Sequence, residues 1–262
     1  MSKAVMDRKQ VIQRELLWHE QESHRRYGLD SLFYDSPAFD DVVQQSVDFL
    51  EGGSGELVLD MGCGEGKEAL ELASRGLYVI GTDLSYTQLL RARELVKKEI
   101  PDAKFCLIQA NAEQLPFANS SFRIIYGKAI LHHLDLDISS KETQRLLISN
   151  GRATFAEPMA RHFIIWLGRL LTPRLRTDDE RPMQLSDLER FGRTFEEQNL
   201  QTYYLLAPLA YTFRIIPGGE KIFAMIYSLL SSLDQKLLSR FKYLRRFAWY
   251  GAVKVQNGSG KK

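Results

Sequence analysis

The sequence predicts an α/β fold: a doubly wound, seven-stranded sheet with helical insertions that form a lid. Between residues 57 and 157, short apolar segments alternate with amphipathic segments of helical period, which is the pattern of right-handed βαβ units. A glycine-rich turn follows the first apolar segment. The chain has 262 residues, 44% of them hydrophobic, which is enough to bury a core around one such sheet.

Composition and charge exclude several classes of protein. With 35 basic and 33 acidic residues, the net charge of +2 produces no global field for nucleic acid, and no RNA-binding module is recognisable. Cys63 and Cys106 lie far apart without CxxC spacing, so we expect neither a disulfide framework nor a metal site. Free thiols, the polar N-terminus MSKAVMDRKQ and the absence of an apolar run of ~20 residues favour a cytoplasmic protein.

Residues 1–54 are predicted to form an N-terminal helical cap. The charged segment over 7–27 favours one helix. Tyr34 to Pro37 is predicted to form a turn, and Asp40 to Leu50 is predicted to form an amphipathic helix.

The next segment, 55–158, is the predicted cofactor-binding core of the domain. Helices are expected over Lys67 to Ser74, over Tyr86 to Glu99, and from about Ala129. Asn150-Gly151 is expected to turn into the fifth strand. Five strands are predicted: Leu57 to Asp60, Tyr78 to Asp83, Lys104 to Gln109, Phe122 to Gly127, and Arg152 to Glu157.

Residues 159–262 are expected to complete the same domain. Ser186 is the expected cap of a helix that runs to about Gln198, and strands are predicted from Leu200 to Leu206 and from Phe247 to Gln256. Two further segments, about 159–184 and 208–246, are the predicted lid insertions.

The stretch LVLDMGCGEG places a glycine at every second position, at Gly62, Gly64 and Gly66. Glycine costs ~1 kcal/mol relative to alanine in regular structure, so three in five residues imply a conformational need. A ligand against free backbone N–H groups at a helix start meets that need, and a tight turn without a ligand is the alternative. The pattern is GxGxG, because Lys67 replaces the third glycine of the dinucleotide fingerprint, and no GK[ST] follows to form a P-loop.

Several motifs follow one another in a recognisable order. They are VLDMGCGEG, GTD ending at Asp83, NAEQLPF, FRIIYGKAILHHL and FAEP ending at Pro158. Over residues 55 to 158 they resemble class I S-adenosylmethionine-dependent methyltransferases, in the small-molecule branch often labelled type 11. The resemblance implies a Rossmann-like fold, S-adenosyl-L-methionine as cofactor and S-adenosyl-L-homocysteine as product.

The resemblance also implies a cofactor site. Asp60 would orient the glycine loop and meet the methionine amino group through water. Asp83 would accept both ribose hydroxyls, with a helix cap as its alternative role, and Asn111 and Ala112 would read adenine. Glu113 is expected to serve either the cofactor or its own loop, and the charged side chain of Lys128 is expected to point away from the sulfonium. The full set is Asp60, Gly62, Cys63, Gly64, Gly66, Asp83, Leu84, Asn111, Ala112, Glu113 and Lys128.

Catalysis in this family needs no obligatory side chain. The methyl group on a sulfonium is already activated, so the protein must align the acceptor and exclude water, and a base is needed only where a proton leaves. Candidate catalytic residues are His132, His133 and Glu157. For each of them a structural role, anchoring the loop or the helix start, is the alternative.

Two segments bear on substrate and partners. Eight large apolar residues would line an apolar pocket or else pack the insertion itself: Tyr211, Phe213, Ile215, Ile216, Phe223, Met225, Ile226 and Tyr227. Residues 236–249 interleave basic and aromatic side chains, which fits a solvated face or a peripheral contact with membrane or a lipid substrate.

Two functional hypotheses follow. The first is S-adenosylmethionine-dependent methylation of a small, hydrophobic or aromatic metabolite on oxygen, nitrogen or carbon. The alternative is a protein that binds the cofactor without methyl transfer, as a regulator, a scaffold or a catalyst of another reaction.

Overall fold

The computed structural model describes residues 37–163, 183–215 and 218–259, together with the helical positions 10, 12–14, 16 and 17. Most of the predicted N-terminal helix, the turn at residues 34–36 and most of the first lid segment lie outside these described residues.

Within the described residues, seven strands form one sheet in the order β3-β2-β1-β4-β5-β7-β6. Strands β1 to β5 run parallel, whereas β7 is antiparallel to both β5 and β6. The strand order reverses between β1 and β4, and open α/β sheets bind ligands beyond the carboxyl ends of their strands at such a switch point. The strands are β1 Leu57–Met61, β2 Tyr78–Asp83, β3 Phe105–Gln109, β4 Phe122–Lys128, β5 Leu147–Pro158, β6 Glu197–Tyr203 and β7 Tyr250–Gln256.

Helices cover both faces of this sheet. Short 3-10 segments occupy Leu131–His133, Ala207–Ile215 and Lys242–Phe247. The α-helices in the described parts of the chain are α1 Pro37–Leu50, α2 Lys67–Ser74, α3 Tyr86–Glu99, α4 Leu136–Leu146, α5 Leu185–Gly192 and α6 Glu220–Arg240.

The core lies on the two faces of the sheet. Successive residues of β1 point to opposite faces, so Val58 joins a cluster with Leu72 of α2 while Leu59 joins another with Phe191 of α5. Because both faces are covered, strand β4 is buried continuously from Ile124 to Gly127 rather than at alternate positions. The predicted α/β, Rossmann-like, seven-stranded fold is confirmed.

Three boundaries differ from the sequence prediction after β4. The helix expected from Ala129 is instead a 3-10 turn, and α4 starts only at Leu136, where the Asp135 side chain accepts hydrogen bonds from the N–H groups of Asp137 and Ile138. β5 starts at Leu147 rather than Arg152, because the left-handed Asn150 bends the strand without ending it.

The predicted boundaries of α5 and β6 were also wrong. Gln184, not Ser186, caps α5: its backbone N–H donates to Asp187 Oδ2 at 2.9 Å in a reciprocal capping box. The helix ends at Gly192, where a side chain would collide with Gln198. β6 starts at Glu197 and not at Leu200. Its first residues are polar, as is common at a sheet edge, and so gave no strand pattern. Among the described strands, β6 is at the edge of the sheet and pairs with β7 alone.

Candidate cofactor site at the carboxyl ends of β1, β2 and β4

The three glycines of the loop all adopt left-handed backbone conformations, with φ of 74° at Gly62, 50° at Gly64 and 84° at Gly66. A side chain at Gly62 would lie 2.7 Å from Ile130, and one at Gly66 would lie 2.7 Å from Ala92, so these two glycines allow close packing. Gly64 differs, because a Cβ there would meet only the tip of one side chain, at 3.9 Å. The bare backbone at Gly64 therefore borders open space.

Asp83, at the end of β2, holds the loop in place. Its Oδ2 accepts the Gly64 N–H at 2.9 Å and its Oδ1 accepts the Ser85 N–H at 2.9 Å. Capping α3 was the alternative role predicted for Asp83. The structure shows that Ser85 is the N-cap of this helix, because its hydroxyl accepts the Gln88 N–H. Each carboxylate oxygen has a second lone pair, which leaves Asp83 able to accept hydroxyl groups of a ligand.

Asp60, at the end of β1, is the most unusual ionisable group of the site. Its side chain is 1% exposed, and Oδ2 has no hydrogen-bond partner within the described chain. Burial raises the pKa of Asp60 well above its ordinary value, and the carboxylates of Glu68 and Asp83 raise it further, while Lys128 opposes them. A buried carboxylate without a donor is costly, so it favours a ligand that brings a donor or a positive charge.

Lys128 lies in this acidic cluster. Its ammonium forms an ion pair with Glu68 Oε1, in the first turn of α2, and its charge is felt at Asp60. The Lys128 side chain is thus held by Glu68, and its expected direction away from the sulfonium stays a prediction. Three carboxylates against one ammonium leave the cluster negative, which suits a cationic ligand.

Residues after β3 form a second wall. Asn111 Oδ1 accepts the Glu113 N–H at 2.9 Å in an Asx turn, and Ala112 is buried beside it. Glu113 Oε1 accepts the Asp135 N–H at 2.6 Å, which ties this loop to the start of α4. Of the two roles left open for Glu113, the structure shows this loop contact, and a contact with a cofactor stays a prediction.

The catalytic candidates meet beneath the loop after β4. Glu157 is completely buried, and its Oε1 accepts the N–H groups of Ile130 and Leu131 at 2.8 and 2.7 Å. Its Oε2 lies 2.7 Å from His132 Nδ1. Glu157 therefore anchors a loop that contains Ala129 in the left-handed region, with φ of 53°, and it orients one imidazole.

The two histidines differ in their contacts. The ring of His133 lies against that of His132, with centroids 4.1 Å apart, and the Glu157 carboxylate contact belongs to His132. With Nδ1 of His132 donating to Glu157, Nε2 is the nitrogen that carries the basic lone pair. This tautomer follows from the carboxylate, which can only accept when ionised.

Two residues of the site have no counterpart in the sequence prediction. Glu68 enters through its contact with Lys128, a pairing of residues 60 positions apart. Gln88 lies in the first turn of α3, and its buried Oε1 has no partner within the described chain. Only its position three residues after the capping Ser85 offered a signal, and that position is compatible with many roles.

Cys63 and Leu84 complete the set. The Cys63 N–H donates to Thr82 O at 2.9 Å, and its buried thiol packs beside Gly81 and donates to Gly64 O at 4.0 Å. Leu84 O accepts from the Gln109 side chain at 3.0 Å, which joins the ends of β2 and β3.

The lid insertion is packed mostly against itself. Tyr211 and Phe223 are buried in one cluster, and Phe213, Ile226 and Tyr227 pack against it. Met225 is exposed and lies outside the core clusters. The side chains of Ile215 and Ile216 lie outside the described residues. A cavity of about 310 Å³ between α1, β6 and α6 is lined by polar and apolar surface in similar parts, and Asp41, Tyr203, Tyr204 and Ser231 contribute to it.

No helix among the described residues is long and apolar enough to cross a bilayer. In the same part of the chain, no three His, Cys, Asp or Glu side chains are grouped so that they could hold a metal ion.

The sheet order and the glycine loop define a Rossmann-like domain, and the acidic cluster lies at the switch point of its sheet. The family described as "Methyltransferase domain" matches residues 59–155. Over these residues the chain is similar to a methyltransferase domain, and the match confirms the resemblance inferred from the motifs.

Individual relatives agree with this assignment. Methyltransferase GfsG of Streptomyces halstedii is 34% identical over 122 residues, which are 46% of this chain and 44% of that protein. The 27-O-demethylrifamycin SV methyltransferase of Amycolatopsis mediterranei is 28% identical over 147 residues, 54% of this chain and 52% of that protein. The matched segments thus span about half the length of these curated relatives.

A solved structure shows the same fold. Phosphoethanolamine N-methyltransferase 2 of Haemonchus contortus, in complex with S-adenosyl-L-methionine, superposes with a TM-score of 0.58 at 19% identity. The match covers 98% of this chain and 61% of that one.

Proposed function

We propose that this protein binds S-adenosyl-L-methionine at the acidic cluster and transfers its methyl group to a small molecule. The observation that carries the proposal is Asp60, a buried carboxylate whose Oδ2 lacks a donor, placed beside two further carboxylates and an open glycine backbone. A ligand with an ammonium and a sulfonium supplies both the missing donor and the missing positive charge.

Each residue of the site would contact a different part of the cofactor. Asp60 would receive the amino group, the backbone at Gly62 and Gly64 would border the methionine part, and Asp83 would accept the ribose hydroxyls. The Asn111 amide and the Ala112 backbone N–H would border adenine, because the loop after β3 follows the strand next to β2. When bound, the cofactor supplies a methyl group on sulfur whose departure leaves the neutral thioether S-adenosyl-L-homocysteine.

His132 is the residue that we propose as base when the acceptor carries a proton. Its Nδ1 lies 2.7 Å from Glu157 Oε2, which orients the ring, and Nε2 would take the proton of the acceptor as the acceptor bonds to the methyl carbon. Glu157 itself, being buried and already accepting two backbone N–H groups, would be a positioning residue. His133 would pack against the base without sharing its carboxylate.

The apolar or aromatic character of the acceptor is the finer part of this proposal. It is supported by the aromatic residues of the lid insertion, such as Tyr211 and Phe223, although these pack mainly against one another. Two acceptors of similar size, one aromatic and one polar, test this character. A higher kcat/KM for the aromatic acceptor would support it, and a higher kcat/KM for the polar acceptor would contradict it.

Calorimetric titration tests the cofactor. We expect micromolar binding of S-adenosyl-L-methionine and S-adenosyl-L-homocysteine, about 8 kcal/mol, and no binding of NAD. Asp83→Ala should abolish binding, because it removes both the ribose acceptor and the anchor of the Gly64 N–H. Asp102→Ala, an exposed aspartate elsewhere on the surface, is the matched control and should bind like the wild type.

Turnover then separates the two functional hypotheses. Formation of S-adenosyl-L-homocysteine with a panel of phenols, alcohols and amines would support methyl transfer. Binding with no turnover on any acceptor would favour a cofactor-binding protein without methyl transfer. Absence of binding by folded protein would contradict both.

The base proposal has its own readout. For an acceptor that loses a proton, kcat should fall at low pH in the wild type as an imidazole is protonated. His132→Gln should lose most of this rate, about 10²–10⁴-fold, whereas His133→Gln should keep the pH profile. Equal profiles for all three proteins would show that neither histidine is the base.

A further inference from the structure

The outer side of α6 is an exposed apolar stripe. Residues 222, 225, 229 and 233 follow one another at helical spacing, so their side chains lie above one another on one face. Phe223, Asp234 and Leu238 of the same helix are buried on the opposite face. The exposed fractions of the four stripe residues run from 40% to 68%: Ile222, Met225, Leu229 and Leu233.

The apolar surface continues beyond the helix. Phe241, Tyr243 and Phe247, in and beside the 3-10 segment after α6, are 39% to 59% exposed. Seven of the fourteen large apolar side chains that are exposed among the described residues therefore lie within residues 220–247. Scattered exposed apolar residues are normal, but this concentration on one surface indicates an interaction site.

The same surface is basic. Residues 220–247 contain six basic and two acidic residues, and one of the acidic ones, Asp234, is buried. Lys236 and Arg240 continue the stripe at the same spacing toward its C-terminal end. Arg240 and Arg246 lie over the rings of Phe241 and Phe247, at 5.7 and 5.5 Å from the ring centroids.

We infer that α6 and residues 241–247 form a docking surface for an anionic lipid membrane. A helix with an apolar face and basic residues beside it lies in the plane of a bilayer, with its apolar side chains below the headgroups. Lysine and arginine then reach lipid phosphates while their stems cover apolar surface. A second copy of the chain fits this surface less well, because a symmetric contact would bring two basic patches together.

Cosedimentation with lipid vesicles tests the inference on the full chain. We expect binding to vesicles of phosphatidylcholine with phosphatidylserine, weaker binding to phosphatidylcholine alone, and a decrease with salt. Met225→Gln with Leu229→Gln keeps helix propensity and removes apolar surface, so binding should fall at least about tenfold. Lys236→Gln with Lys242→Gln should lower binding roughly fivefold per charge and reduce its salt dependence.

Matched controls come from α3. Leu90→Gln removes an exposed leucine and Lys97→Gln an exposed lysine, and both variants should bind vesicles like the wild type. Urea unfolding of every variant checks that the fold is intact. We expect wild-type stability, because the replaced side chains are exposed.

Three results would overturn the inference. One is the absence of binding to anionic vesicles, and another is binding that the α6 variants leave unchanged. The third is a dimer in light scattering that the Met225/Leu229 double variant dissociates, which would make a second copy the occupant of the surface. None of these results depends on cofactor binding, so they leave the proposed methyl transfer untouched.

Discussion

Replacing Glu157 by alanine should destabilise the protein more than an ordinary surface substitution. This carboxylate is completely buried and accepts the N–H groups of Ile130 and Leu131 and the ring of His132. Alanine removes the acceptor for all of these donors at once, next to Ala129, whose left-handed backbone depends on its surroundings.

The magnitude follows from the donors left without a partner. Each buried donor that loses its acceptor costs about 1–3 kcal/mol, so two N–H groups and one imidazole imply about 4 kcal/mol in total. A urea m-value of about 3 kcal/mol per molar, at the upper end for a chain of this size, converts that loss into a midpoint about 1 M lower.

Urea unfolding followed by circular dichroism measures this shift. Glu94→Ala, an exposed glutamate on α3, is the matched control and should change the free energy of unfolding by less than about 0.5 kcal/mol. A Glu157→Ala midpoint within about 0.2 M of the wild type would refute the anchoring role.

Glu157→Gln separates anchoring from positioning. Glutamine can still accept the two backbone N–H groups, so the loss of stability should be smaller, about 1–2 kcal/mol. Its amide nitrogen would face His132 Nδ1, however, which reverses the tautomer and protonates Nε2. We therefore expect a folded variant that has lost the base-dependent part of kcat. Wild-type kcat in this variant would show that His132 is not the base.

Further predictions concern the glycine loop, Asp60 and the lid. Gly66→Ala should lower the free energy of unfolding by more than about 2 kcal/mol, since φ is 84° and the new Cβ would lie 2.7 Å from Ala92. Gly53→Ala is the control: no atom lies within 4 Å of a Cβ there, so the thermal unfolding temperature should not change. Asp60→Asn should weaken S-adenosyl-L-methionine binding in calorimetry yet raise the free energy of unfolding at neutral pH. The raised pKa of Asp60 means that its ionisation opposes folding as pH rises above about 4, so the gain over the wild type should vanish in urea titrations at lower pH. Asp234→Ala should lower the free energy of unfolding by about 2–4 kcal/mol and make residues 205–215 more sensitive to proteolysis, because the Asp234 carboxylate accepts three backbone N–H groups of residues 205–207. Gln235→Ala is the control and should leave both properties unchanged.

Prediction of the fold succeeded where the signal is local. The strands β1, β2 and β4 are apolar runs covered on both faces, and the glycines after β1 need left-handed conformations that few other residues adopt. It failed at β6, because an edge strand carries polar residues, and at the start of α5, where Gln184 is a poor cap by type but is completed by Asp187.

For the candidate site, the sequence identified residues but not their partners. Asp60, Asp83 and Asn111 stand beside the glycine loop or after the next strands, as their motifs imply. Glu68 could not be assigned to the site, since its contact with Lys128 joins segments that meet only when β1 and β4 pair. Likewise, nothing near Glu157 in the sequence shows that it is completely buried.

The sequence by itself determined the order of the central strands and helices, the glycine loop and the resemblance to methyltransferase domains. These depend on backbone conformation and on apolar period, which neighbouring residues encode. Only the tertiary structure decided that Lys128 lies in the acidic cluster, that Glu157 anchors the loop, and that Met225 faces outward. Charge pairing and burial are set by segments distant in the chain, so they exist only once the sheet has brought those segments together.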